Sequence, residues 1–149
     1  MRAAFALVAL AIAACYPATS RPDVLPVPGA FKVEVEMFVP EATRALALAL
    51  HDDSIPIRRT VPEDGWLESE WIDFATMQPT RRRPLGPEVV RVRAFVSPGR
   101  ANHSIIEVET VYRPVVSPAR PDRTLEEQVP TGHPVAVRVQ RALEKLVEQ

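Results

Sequence analysis

Few side chains in this sequence have the type and spacing to do chemistry. The single thiol, Cys15, follows an apolar run and has no second cysteine with which to close a disulfide. Three histidines, His51, His103 and His133, are isolated from one another, each near the end of an expected element. Metal ligands usually come at a visible spacing, and the chain has neither an H-E-x-x-H pattern nor a cysteine pair. It also lacks a glycine-rich phosphate loop and a G-x-S-x-G elbow. The sequence therefore names no catalytic residue, no metal ligand and no cofactor, and the chain is expected not to be an enzyme.

Charged side chains alternate along three expected strands: Glu68 and Glu70, Arg91 and Arg93, Glu107 and Glu109. Paired carboxylates can serve acid–base catalysis, but arginine neighbours would keep these ionised. Regular alternation is what a solvated sheet face looks like, with each exposed cross-strand pair adding about 0.2 to 1 kcal/mol. Arg81, Arg82 and Arg83 form the sharpest basic cluster, in a loop between Pro79 and Pro84. There they could meet anionic head groups or an acidic partner, or stay solvated. Trp71 shares the side of Leu67 and is assigned to the core. Trp66 falls on the charged side, where an indole is either a contact point or lies under a neighbouring loop. Trp66, Arg81, Arg82 and Arg83 are thus the candidate partner contacts.

The residues that position Cys15 have the layout of a secretory signal: Arg2, then an apolar stretch from Ala3 to Ala14 that ends in small residues. Its dozen residues fall short of the ~20 that span a bilayer as a helix, so removal is expected. Ile12, Ala13, Ala14 and Cys15 resemble the lipobox of bacterial lipoproteins. That resemblance implies cleavage before Cys15, acylation of its thiol and new amino terminus, and firm membrane anchoring by several acyl chains. Tyr16 follows in place of the aspartate that retains many such proteins on the inner membrane. By the same analogy the anchor lies in the outer membrane, on its periplasmic side.

About 135 residues remain beyond a signal at residues 1–14, enough for one domain with a workable core. The 18 basic and 19 acidic side chains nearly cancel, so nothing in the balance calls for nucleic acid. Pro17, Pro22, Pro26 and Pro28 disfavour both helix and interior strand, and residues 15–30 read as an extended, lipid-anchored tether. Pro114, Pro118, Pro121 and Pro130 mark a second irregular stretch.

The single domain is expected over residues 31–149. Phe31, Val33, Val35, Met37 and Val39 alternate with Lys32, Glu34 and Glu36, which predicts a strand over 31–39. A helix over 40–51 follows, carrying Ala42, Ala45, Leu46, Ala49 and Leu50 on one face. A short strand over 55–61 and a turn over 62–65 lead to a meander of strands at 66–74, 88–97 and 103–113. A second amphipathic helix over 134–148 carries Val135, Val139, Ala142, Leu143 and Leu146 on one stripe. The fold class is α+β, in the order β-α-β-β-β-β-α, with an antiparallel sheet covered by helices on one face.

That order, the cysteine anchor and the segment from Asp64 to Asp73 are similar to a helix-grip module of the BamC (NlpB) lipoprotein family. The resemblance implies an accessory role in outer-membrane protein assembly, through an envelope protein partner. The chain departs from that family in having one module and a short tether. A non-enzymatic interaction or scaffold lipoprotein is therefore expected. The alternative is a carrier of a small apolar ligand, held between Val90, Val92, Ala94, Ile106, Val108 and Tyr112 of the sheet and Val139, Leu143 and Leu146 of the last helix.

Overall fold

The computed structural model describes residues 19–148. The expected signal at 1–14 and the proposed acylation site Cys15 lie outside the described residues. Strand β1, Phe31–Val35, keeps the predicted alternation but ends earlier than expected. Residues 36–38 bend away from the strand, and helix α1, Val39–Asp52, begins one residue before the expected start, with a proline in its first turn where the missing N–H is not needed. Ala42, Leu46 and Leu50 recur every four residues along it and are buried.

Strand β2, Ile57–Val61, leads through one 3-10 turn, Pro62–Asp64, into β3, Trp66–Ser69. Gly65 joins them with φ +61°, and an added Cβ there would sit 2.1 Å from the Val96 carbonyl oxygen. Two short strands follow, β4 at Ile72–Asp73 and β5 at Gln78–Pro79. The long hairpin is β6, Val89–Pro98, with β7, Ser104–Tyr112. After an irregular stretch that contains a 3-10 turn at Asp122–Leu125 come β8, Glu127–Gln128, and helix α2, Pro134–Val147. His133 caps α2: its Nδ1 accepts from the Val135 amide at 3.2 Å, while its Nε2 lies 2.9 Å from the Pro87 carbonyl oxygen. Those two partners call for a neutral ring with its proton on Nε2.

The eight strands form one antiparallel sheet in the order β1-β7-β6-β3-β2, with β4, β5 and β8 paired at its margins. Both helices lie on one face of it, so the α+β class and the helix-covered antiparallel sheet hold as expected. Val90, Val92, Ala94, Ile106 and Val108 of the hairpin pack with Val139, Leu143 and Leu146 into a continuous core, all nearly or fully buried. Asp53, at the end of α1, locks the two helices together: its carboxylate meets Lys145 Nζ at 2.8 Å, and its carbonyl accepts from Arg138 at 3.0 Å.

The strand expected over 66–74 is broken after Ser69. The Ser69 hydroxyl oxygen accepts from the Val92 amide at 2.9 Å and donates to the Glu70 carbonyl at 2.7 Å, taking the place of a ladder bond. Pairing resumes one residue out of step, from Leu67 opposite Ala94 to Ile72 opposite Val90. A one-residue slip turns every later side chain to the other face. Ile72 therefore enters the core, and Trp71, which the unbroken alternation assigns to the core, stands on the opposite face instead.

Gly65→Ala should lower stability by at least about 2 kcal/mol, since alanine resists a positive φ and its methyl would strike β6; a urea midpoint unchanged from the parent chain would refute the close approach. Thr110, fully buried on the helix-covered face, has a hydroxyl without a hydrogen-bond partner. Thr110→Val should raise the thermal midpoint, by about 1 kcal/mol of stability, because it replaces an unpaired buried hydroxyl with a methyl.

Candidate functional site

The second face of the sheet carries the alternating charges, and it is not the open, solvated face that alternation predicts. Glu109 is fully buried, Arg93 is 9% exposed and Glu126 is 7% exposed. Two irregular segments close over them, one N-terminal to β1 and one between β7 and α2.

Arg93 is the hub. Its guanidinium grips Glu126 with both terminal nitrogens, at 2.5 and 3.2 Å, and reaches Glu68 at 3.0 Å and Glu109 at 3.1 Å. Arg123 binds Glu109 in the same two-pronged way, at 2.6 and 2.9 Å. Arg113 adds a bond to Glu126 at 3.1 Å. Such planar forks satisfy a carboxylate in direction as well as charge. Burial by itself would raise the Glu126 carboxyl, but the hydrogen bonds and charge of Arg93, with help from Arg123 and Arg113, outweigh it and hold the group below the ordinary glutamate value. Burial likewise disfavours charge on Arg93, yet its bonds to Glu126 and Glu68 raise it above the ordinary arginine value. Glu126 and Arg93 therefore stay ionised together near neutral pH.

Part of the expected tether is a component of this face. Ser20 donates to Asp64 from its amide at 2.7 Å and from its hydroxyl at 2.9 Å. These bonds hold the Asp64 carboxyl below the usual aspartate range. Arg21 donates to the Val96 carbonyl at 2.9 Å and lies over the Phe95 ring. The Val27 amide donates to Glu109 at 2.9 Å, and Arg123 donates to the Leu25 carbonyl. The expectation of an extended tether over 15–30 is corrected for its described part: residues 20–27 are docked, because a buried Glu109 needs donors that the sheet alone does not supply.

The candidate contact residues fare differently. Trp66 does lie on the charged side, but it is only 2% exposed and stacks edge-on against Phe95 with ring centroids 5.0 Å apart. It is a packing residue of the second face, not an exposed contact. Trp71 is held between two guanidinium groups, Arg91 at 4.6 Å and Arg113 at 4.9 Å from its ring centre. Arg81, Arg82 and Arg83 are all exposed. Arg82 is tied to Asp73 at 2.8 Å, which holds that carboxyl below its usual range. Nothing in the structure draws Trp66 and the basic loop into one site.

Sequence reasoning found Arg93, Glu68 and Glu109 as alternating positions but missed Glu126, Arg123, Arg113 and Arg21. Those four flank or lie outside the regular strands, where no periodicity marks a side chain as inward. Among the described residues no group of three or more His, Cys, Asp or Glu side chains is placed to hold a metal. No family model, curated protein or solved structure matches the chain.

Arg93→Ala should cost about 3 to 5 kcal/mol, since it removes the buried guanidinium that Glu68, Glu109 and Glu126 share; a loss under about 1 kcal/mol would mean that the remaining arginines or water satisfy them without it. Because the Glu126 carboxyl is lowered on folding, its contribution is complete above the unfolded-chain value near pH ~4.3 and is lost as the pH falls through the lower folded value. Denaturant midpoints measured from about pH 6 to pH 2 should therefore fall on the acid side, and less steeply in Glu126→Gln. Equal acid slopes in the two proteins would contradict this.

Proposed function

We propose that this chain is a non-enzymatic interaction or scaffold module of the bacterial envelope, anchored by acylated Cys15 to the outer membrane on its periplasmic side. The observation that weighs most is the state of the charged face. Glu68, Glu109 and Glu126 are each bound by arginine, and Glu109 and Glu126 are buried as well, which is a structural use of charge rather than a catalytic one. What the domain offers to other molecules is its margins and edges.

Docking of the N-terminal segment suits an anchored protein. Ser20 is fixed to Asp64 only five residues after Cys15, a reach of at most about 18 Å of chain. A lipid at Cys15 would thus hold the domain close to the bilayer rather than on a long leash. No helix among the described residues is long and apolar enough to cross a membrane, so membrane attachment on this proposal depends on the acyl chains.

Full-length protein expressed in a Gram-negative bacterium should incorporate labelled palmitate and sediment with outer membranes, and Cys15→Ser should abolish the label. Equal behaviour of the two proteins would overturn the anchoring. Crosslinking of the full-length protein in intact cells, followed by mass spectrometry, then tests the scaffold role. Reproducible capture of a β-barrel assembly component would give the BamC-like role its support, capture of another envelope machine would retain the scaffold role alone, and capture of nothing would remove it.

A further inference from the structure

The two end strands of the sheet differ in how they meet solvent. On one side, β2 presents Arg58 and Arg59 in succession, both exposed, and its pairing with β3 shifts between Ile57 and Arg59. Irregularity and charge of this kind keep an edge from pairing with another chain. On the other side, β1 pairs with β7 in unbroken register over all five of its residues and contains no proline. Its outer edge remains free among the described residues, so its outward backbone groups are open to a further strand.

From this edge we infer that the protein associates with a second copy of itself, β1 against β1 in antiparallel register about a two-fold axis at Val33. The side chains select both the partner and the register. With Val33 at the axis, Phe31 falls opposite Val35 on the helix-covered face, and Lys32 falls opposite Glu34 on the other face. Two-fold symmetry makes the Lys32–Glu34 pair occur twice. A register centred on Glu34 would set two like charges opposite each other, which disfavours it.

Both charged groups are available. Lys32 has a partner in Glu107 at 3.5 Å and Glu34 in Arg100 at 3.0 Å, yet their side chains remain 60% and 41% exposed. Beside the strand, a cleft of about 380 Å³ opens between β1 and α2, with Phe31, Val33, Leu143 and Val147 along it. Val147 is 56% exposed. A copy seated on the edge would bring its own Phe31 and Val33 alongside this apolar strip, so one contact satisfies the backbone edge, the charges and the apolar cleft together. This inference does not depend on the acyl anchor or on any envelope partner.

The test is the mass of the full-length protein in detergent, measured by light scattering over a range of concentrations. The expected mass is that of two chains. Lys32→Glu and Glu34→Lys each place like charges opposite one another and should weaken association about tenfold, whereas the doubly reversed K32E/E34K protein, which restores opposite pairs, should dimerise as the parent does. Circular dichroism on each variant separates loss of association from loss of fold. A single-chain mass at every concentration, including one whose free edge takes up a strand of another protein, would overturn the inference. So would a dimer indifferent to these charge reversals, because its contact would lie elsewhere.

Discussion

Much of this structure follows from one buried cation. Arg93 sits on a strand in the middle of the sheet, where its guanidinium is largely withdrawn from water, and three carboxylates gather around it. Taking those charges out of water is costly, and their mutual attraction offsets the cost only if each lone pair and each N–H finds a partner in good geometry. The sheet supplies Glu68 and Glu109 from the neighbouring strands. The remaining partners have to come from outside it, and the chain brings Glu126, Arg123 and Arg113 from the segment after β7, with the Val27 amide from the segment before β1. Two stretches with no regular secondary structure of any length are thereby given fixed places, and the sheet becomes a layer covered on both faces.

The regular elements were legible because their burial obeys a period. Alternation located β1, β6 and β7, and a four-residue recurrence located both helices to within a residue at each end, while β1 stops four residues short of its expected end, at a bend before α1. Trp71 shows where this kind of inference stops. Its side of the strand depends on a single serine hydroxyl that replaces a ladder bond, and nothing in the apolar pattern of residues 66–74 signals the slip. The second face shows a different limit. Alternating Arg and Glu look alike whether water or protein lies above them, because the period reports only that a position points away from the first core. Whether that direction is solvent is decided by remote segments, here residues 20–27 and 113–128. Their proline content marked them as irregular, and only a short 3-10 turn and the two-residue β8 interrupt that, but composition does not distinguish an ordered irregular segment from a loose one.

The consequence for function is a matter of where reactive or adhesive surface can remain. One face of the sheet is filled by α1 and α2, and the other by an arginine–carboxylate lattice whose members neutralise each other. A carboxylate held below its ordinary range by a two-pronged arginine is a poor proton carrier, and a guanidinium in that pairing is a poor anion receptor because its donors are already used. Arg93, Glu109 and Glu126 are therefore among the charges least available to another molecule. On the proposed reading, the surface left for recognition lies further out, at the β1 edge that is free among the described residues and at the loop of Arg81 and Arg83.

Covering the second face also ties two levels of organisation together. If the N-terminal segment were only a leash, its composition would be free to vary and the domain would begin at β1. Instead Ser20, Arg21 and Val27 each make a specific polar contact with the sheet or the loops at its ends, and the Val27 contact falls on a carboxylate that is fully buried. Removing the segment would expose Phe95 and leave Glu109 one donor short, so the segment belongs to the folded unit on energetic grounds. A force applied at the N-terminal end, as a membrane anchor would apply it, is then transmitted first to Asp64 and Val96, at the end of the sheet where Gly65 already holds β3 and β6 in close contact. The corner where Gly65 sits at positive φ against Val96 is thus also the one to which the first described residues attach.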